Sequence, residues 1–444
     1  MGEYSTLYIG GHRIEAWKNC IGEEIAILFT EDDISYTPHP NWSDNWIYEE
    51  GDDKLQSLPC FQYVSTAQCL VDRLELLGYS LAAARQAWIK GVQSDLHFVQ
   101  EMAERGPWLP PPGETFALAP NQNCYEHWVQ FYVDFTFETW SALMKRIIEQ
   151  KLAPLYLREH EDRSKALQEN NPYLHYILTN FVSGRHPFGF PTDDFDCILR
   201  AVLDVLEPDT SVVLDCSTLV RWVNHSQYSC TPPKTVILTE GRSDRRIIEG
   251  TLRLLYPHLY RYFTFIDFDA VNMPGSTSHL VNIIKAFVAT GVIRPTIAIF
   301  DNDAAGHDAL RQLENVDLPD QLRAMSLPYL DRAARYPTVG PQGRMEVDIN
   351  GVACSLEVYL GWDILKEAPG RLTPVRFGGF MPGVQRWQGE ILDKGAIHER
   401  YMRLLEAARN DPAMMTEHDW TGMQLVLRTI FDVVKELHNI PESA

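Results

Sequence analysis

Positive charge is scarce in this chain: over 444 residues, 39 lysines and arginines face 60 aspartates and glutamates, a formal net charge of −21. That deficit excludes a protein that grips nucleic acid or anionic lipid through bulk basicity, so any polyanion must be met locally. Clustered cysteines are also missing. The eight present (Cys20, Cys60, Cys69, Cys124, Cys197, Cys216, Cys230 and Cys354) form no C-x-x-C pair, which predicts reduced thiols in a cytoplasmic protein, not a disulfide framework or structural zinc. No long apolar run exists. The nearest, Val281 to Phe300, carries Lys285 and Arg294 and is broken by Gly291 and Pro295, so a membrane span is not expected. No basic stretch leads into an apolar core at the start, so no secretory signal is read. Met1-Gly2 with Thr6 fits a myristoylation pattern, but a polybasic second anchor is lacking. G-x-x-x-x-G-K-[ST], H-E-x-x-H and G-x-S-x-G are absent, as is a G-x-G-x-x-G following a strand. The chain therefore carries no recognisable ATPase, and ATP control would require a partner.

What is present suffices for large cores: 45% of residues are hydrophobic and 11% aromatic, and the length predicts two to four domains. Tyr4 to Phe29 reads as a β-hairpin turning at Gly10-Gly11. Leu70, Leu74, Leu77, Leu81, Ala84 and Trp88 then follow the helical period over Ala67 to Met102. Pro107, Pro110, Pro111, Pro112 and Gly113 place a linker at about 106–115. Helical segments are expected over Tyr125–Leu152, Asp162–Phe181 and Asp194–Leu206, with Gly184 to Pro191 between the last two and a boundary at Tyr228 to Pro233. Beyond Lys234 strands and helices alternate: strands at Thr235–Thr239, Tyr262–Phe268, Thr296–Phe300 and Arg323–Leu327, with helices at Ser243–Leu255, Ser276–Thr290 and Ala304–Leu313 between them. Such βαβ units predict a mostly parallel sheet with helices on both faces. The expected fold is multidomain α/β: a β-then-helical N-terminal domain (1–110), a helical block (115–230), the parallel-sheet domain (234–365) and a helical C-terminal region (366–444), the last on the periodicity of Ile397–Ala408 and Met423–Leu437.

Carboxylates punctuate the parallel sheet. Glu240-Gly241-Arg242-Ser243-Asp244 follows its first strand, and Asp301-Asn302-Asp303-Ala304-Ala305-Gly306 follows its third. Function in open parallel sheets gathers at the carboxyl ends of strands, so both loops are expected to face one crevice. Converging anions repel unless a countercharge joins them, and hard oxygen ligands suit Mg²⁺ or Mn²⁺ better than zinc. Taken singly, Ser243, Asp244 and Asp303 read equally well as helix caps; Glu240 with the Asp301/Asp303 pair favours a metal. Asp301, Asp303 and Gly306 also occupy positions one, three and six of a calcium loop, but Ala305 at five and Gln312 at twelve do not fit it. Asp267 and Asp269 are further acidic candidates of lower rank.

The strand ending in Glu240-Gly241 with Asp244, followed some sixty residues later by one ending in Asp301-x-Asp303 with Gly306, resembles a Toprim domain. That family comprises the metal-dependent catalytic modules of topoisomerases, bacterial primases, OLD-type nucleases and small RNA-maturation nucleases. The resemblance spans about residues 234–330 and implies that Glu240, Asp301 and Asp303, with Asp244 nearby, work around Mg²⁺ or Mn²⁺. Met1-Gly2, Tyr4-Ser5, Leu7, Ile9-Gly10, Lys18-Asn19, Leu28-Phe29 and Val71 to Tyr79 resemble the domain paired with Toprim in HEPN/Toprim proteins of bacterial defence loci. RNase HEPN domains carry an Arg followed by a His with four to six residues between them. Arg221 and His225 are too close for that, and Arg253 with His258 lies in the sheet domain, so HEPN catalysis is not carried over. Cys354-Ser355-Leu356-Glu357-Val358-Tyr359-Leu360 looks like the additional Leu-Glu element of OLD-type nucleases, and Trp387-Gln388-Gly389-Glu390 leads to Lys394 at the place of their late basic residue. Glu357 could join the metal set and Lys394 could stabilise phosphate charge; a surface Glu and a solvated Lys are the plain alternatives.

These readings converge on a divalent-metal-dependent nuclease, and the family resemblance implies that it acts as an effector of anti-phage defence. Its expected partners are nucleic acid and either further copies of itself or a second defence protein such as an ATPase, with no membrane. Arg242, Arg245 and Arg246 are candidates for phosphate contacts, and equally for pairing with Asp244 or Glu249 along the helix. Residues 234–323 hold ten Lys/Arg against eleven Asp/Glu, whereas residues 1–115 hold seven against eighteen, so the acidic excess lies mainly away from the crevice. Missing zinc cysteines weigh against a primase, and no tyrosine stands out as a topoisomerase nucleophile. The rival reading is a noncatalytic nucleic-acid-binding or regulatory subunit.

Overall fold

The computed structural model describes residues 4–37, 60–105, 125–152, 171–179, 194–216, 232–266, 275–291, 294–340, 343–367 and 370–438. Met1-Gly2, the linker at 106–115, Gly184 to Pro191, Arg221, His225, Asp267 and Asp269 lie outside them. The chain divides into two compact units, Met1–Glu75 with Tyr79–Pro232, and Pro233–Ala444 with Leu76–Gly78.

The first unit is built on a five-stranded antiparallel sheet. β1 (Tyr4–Ile9) and β2 (His12–Lys18) form the expected hairpin. Gly10 and Gly11 turn it with φ of 57° and 75°, the left-handed pair that a tight hairpin demands. β3 (Ile34–Thr37), β4 (Cys60–Thr66) and β5 (Ser211–Asp215) complete the order β2-β1-β5-β4-β3. β5 lies at the centre, pairing with both β1 and β4, so residues on either side of the helical block share one sheet. Between β4 and β5 run helices α1 (Ala67–Leu76), α2 (Leu81–Arg105), α3 (Tyr125–Asp134), α4 (Phe137–Glu149), α5 (Pro172–Thr179) and α6 (Phe195–Asp204). The long helical stretch expected over Ala67–Met102 is broken at Gly78, whose φ is 93°. Arg73 on α1 is buried, donating to the Leu28 carbonyl (2.9 Å) and to both oxygens of Asp33 (2.9 and 3.1 Å). A charge so enclosed is tolerable because its donors are matched.

The second unit holds the parallel sheet. β6 (Thr235–Thr239), β7 (Phe263–Phe265), β8 (Thr296–Phe300) and β10 (Leu322–Ser326) lie in the order β10-β8-β6-β7, every pair parallel. They are linked through α7 (Arg242–Leu255), α8 (Thr277–Thr290) and α9 (Ala304–Leu313). Leu238, Ala298, Phe300 and Leu322 pack with Leu280, Val281, Ile284, Ala309 and Leu313 of α8 and α9 on one face. Every residue of β8 is buried, the pattern of a central strand covered on both sides. On the second face α7 contacts β6, and the C-terminal helix α11 (Thr421–His438) contacts β8 and α7.

The helices expected around Ile397–Ala408 and Met423–Leu437 form, but the region from 366 to 391 that precedes them holds strands. A second four-stranded sheet combines β11 (Tyr336–Gly340) and β12 (Gly343–Val347) with β14 (Val375–Met381) and β15 (Arg386–Ile391), in the order β12-β11-β14-β15. Helical structure resumes at α10 (Lys394–Asn410). A small ladder joins β9 (Asn302–Asp303) to β13 (Ala353–Cys354), pairing Asp303 with Ala353 and Asn302 with Cys354. That ladder brings the segment around Glu357 to the carboxyl end of β8.

Candidate active site

Adjacent parallel strands deliver the first two carboxylates to the same edge. Glu240 follows β6 and Asp301 follows β8, and the Asp301 backbone N–H donates to Glu240 Oε1 at 2.9 Å. Thr277, first residue of α8, donates its hydroxyl to Glu240 Oε2 at 2.6 Å. Burial pushes the Glu240 carboxyl up to about 7, and the charges of Asp303 and Asp244 push the same way against those two hydrogen bonds. Asp301 Oδ1 accepts from the Leu356 N–H at 3.0 Å. Its carboxyl stands well above the usual range, through burial first and then Asp244, Glu240, Glu357 and Asp303.

Asp303 is a helix cap as well as a site carboxylate: its Oδ1 accepts from the Gly306 N–H at 2.7 Å and opens α9. Gly306 admits no side chain, because a Cβ there would lie 2.1 Å from the Asp301 carbonyl oxygen. The glycine lets the chain fold back tightly enough to place Asp301 and Asp303 together. Burial raises Asp303, although the N–H groups of Gly306 and Ala305 favour its charged form. Asp244, buried in the first turn of α7, is raised by burial and by Glu357.

Behind these lies a compensated group. Glu357 is fully buried and is bonded by Lys394 Nζ (2.9 Å), the His398 ring and the Ser355 hydroxyl (2.6 Å). Burial alone would raise its carboxyl, but the His398 hydrogen bond and the Lys394 charge bring it down to about 2. Burial works against a charged Lys394, yet Glu357, Asp301 and Asp244 more than offset it and raise the ammonium. Lys394 and His398, one turn apart on α10, form a clamp on Glu357. The sequence reading did not single out His398, although its i,i+4 spacing from Lys394 was available as a signal.

A cleft of about 610 Å³ collects the result: Glu240, Asp301, Asp303, Thr277 and Lys394 line it together with Arg376 and Phe377 of β14. Asp244 and Glu357 stand behind this lining. Arg242, Arg245 and Arg246 do not line it, and Arg245 pairs with Glu249 at 3.2 Å. Arg253 also pairs with Glu249 (2.8 Å) and stacks over Tyr260, a surface network of its own. Among the described residues no three or more His, Cys, Asp or Glu side chains are already gathered in ion-holding geometry. The donor set still fits a hard divalent cation. Carboxylates of Glu240, Asp301 and Asp303 share one cleft; burial holds each above its ordinary range, and repulsion from neighbouring carboxylates, which a cation would relieve, adds to this at Glu240 and Asp301.

No curated protein and no solved structure matches the chain. Among the described residues no helix is long and apolar enough to cross a membrane. The family model for HEPN/Toprim N-terminal domain 1 matches residues 1–234, a span that ends within two residues of the first compact unit. Association with Toprim suggests a nucleic-acid-related function. With more than half its length matched, the chain belongs to the HEPN/Toprim N-terminal domain 1 family.

Proposed function

We propose that this protein is a divalent-metal-dependent nuclease that hydrolyses phosphodiester bonds, with Glu240, Asp301 and Asp303 holding Mg²⁺ or Mn²⁺. The observation that carries the reading is the meeting of these three carboxylates and Lys394 in one cleft at the carboxyl ends of adjacent parallel strands. A bound divalent ion would neutralise phosphate charge and activate water for attack. Lys394, kept cationic by Glu357, would stabilise the charge that builds on the phosphate oxygens. Asp244 adds negative charge behind the cleft and so favours cation binding there. Glu357 serves the site mainly by orienting Lys394, since Ser355, Lys394 and His398 already engage it. A role in bacterial anti-phage defence, in the cytoplasm and with a second protein such as an ATPase, rests on the family resemblance.

The test incubates the purified protein with plasmid, single-stranded DNA and tRNA in Mg²⁺, in Mn²⁺ and in EDTA. Cleavage is expected with either metal and none in EDTA. Asp303→Asn, which keeps a capping oxygen for α9, should fold normally and cleave at background level. Lys394→Ala should slow cleavage by roughly 10²–10³-fold, the scale for removing one charge-stabilising donor. If no polymer is cut, while wild type and Asp303→Asn bind nucleic acid alike, the noncatalytic reading replaces this one.

A further inference from the structure

The β14–β15 hairpin presents to solvent what a core would normally conceal. Phe380 and Trp387, cross-strand partners, are 48% and 56% exposed. Their ring centroids lie 5.5 Å apart at an interplanar angle of 66°. Between Phe380 and the cleft-lining Phe377 the strand register shifts at Gly378 and Gly379, and both glycines line the cleft. Neither is required by the backbone, since neither has a positive φ. Neither is required by packing: a Cβ at Gly379 would meet nothing within 4 Å, and one at Gly378 only the Gln388 carbonyl oxygen at 3.8 Å. Strand glycines mark a bulge or a wall that a ligand approaches closely; the register shift supplies the first here, but without a positive φ it does not itself demand glycine, and the second remains. The local charge is also inverted: in a chain of net charge −21, residues 371–391 carry three arginines against one glutamate, and Arg376 lines the cleft.

We propose that this hairpin is the docking surface for unpaired nucleotides of the substrate, with bases stacking on Trp387 and Phe380. The backbone of the strand then passes over Gly378-Gly379, and Arg376 meets a phosphate on the way to the carboxylate rim. Exposed rings on a hairpin of slight net positive charge suit single strands, because stacking needs the faces of bases that a duplex keeps covered. The same chemistry serves single-stranded DNA and RNA. This inference rests on the nuclease reading for its geometry, but it is tested by binding alone.

Full-length protein in an Asp303→Asn background with Mg²⁺, which prevents turnover, is titrated into dye-labelled single-stranded DNA, single-stranded RNA and blunt duplex, and anisotropy is read. Single strands are expected to bind at least about tenfold more tightly than duplex. Trp387→Ala should weaken single-strand binding by about 5- to 150-fold, the range for losing one stacked base. Gly379→Leu should weaken it at least about tenfold by obstructing the wall, and both variants should keep the parent melting temperature. Equal binding of duplex and single strands overturns the proposal, as does parent-like binding by both variants. It is also overturned if sedimentation shows that Trp387→Ala changes the oligomeric state and not oligonucleotide affinity; the hairpin would then be a contact between copies. Single-strand binding that depends on the hairpin without any cleavage by wild type would sink the nuclease reading and leave this one standing.

Discussion

Glu240 is the residue on which the site turns. Its carboxyl, ordinarily near 4.5, is pushed up to about 7, so the folded protein binds a proton there that the unfolded chain releases. Stability from this group is therefore present below 4.5 and lost as pH rises from 4.5 through about 7; Asp301, Asp303 and Asp244 shift the same way. Glu357 works in the opposite sense, but its contribution is lost only as pH falls from 4.5 towards about 2, outside that window. A cation bound to the ionised rim reverses the loss. Mg²⁺ should thus raise the melting temperature more at pH 8 than at pH 5.5, with apparent affinity weakening by roughly tenfold per pH unit below about 7. Thr277→Val, which removes the hydroxyl bonded to Glu240 Oε2, should move that midpoint upward. Differential scanning fluorimetry across pH, with and without Mg²⁺, reads both effects, and equal Mg²⁺ shifts at the two pH values would contradict them.

Among elements, the turn from β8 into α9 matters most. Gly306→Ala would drive a methyl into the Asp301 carbonyl, so the turn must open or the helix must shift. A loss of roughly 1–3 kcal/mol is expected, the cost of overpacking, together with reduced metal-dependent cleavage; an unchanged melting temperature and rate would refute this account. This turn was legible in the sequence, because Ile297–Phe300 is continuously apolar and its acids follow at once. So were β6 and helices α7, α8 and α9, whose apolar periods are strong and whose ends carry Gly241, Ser276 and Asp303. β5 was not: five residues following a helix look like a connection, and only pairing with β1 and β4, about 200 and 150 residues earlier, makes them a central strand. The β14–β15 hairpin escaped for a related reason. Val375-Arg-Phe-Gly-Gly-Phe-Met has the glycines of a loop, and only Val375 of it is buried, so no alternation betrays the strand. The carboxylate rim could be inferred from strand ends alone, whereas the His398–Glu357 contact joins residues 41 apart and needed the fold.

For the whole molecule, two compact units divide the work between a region matched by a known family and a region that holds the cleft. The acidic excess of the first 115 residues, eighteen carboxylates against seven basic groups, belongs to the former. The local arginines of the hairpin belong to the latter, and their small number has a kinetic consequence. Each phosphate that a basic side chain neutralises on a single strand displaces condensed counterions, steepening the fall of affinity with ionic strength by about 0.7 in the log–log slope. One or two such arginines amount to a slope of only about −0.7 to −1.4. Encounter with a strand would gain little from long-range attraction, so capture would depend on ring contact at short range and persist in salt concentrations that strip more basic proteins from their polymers.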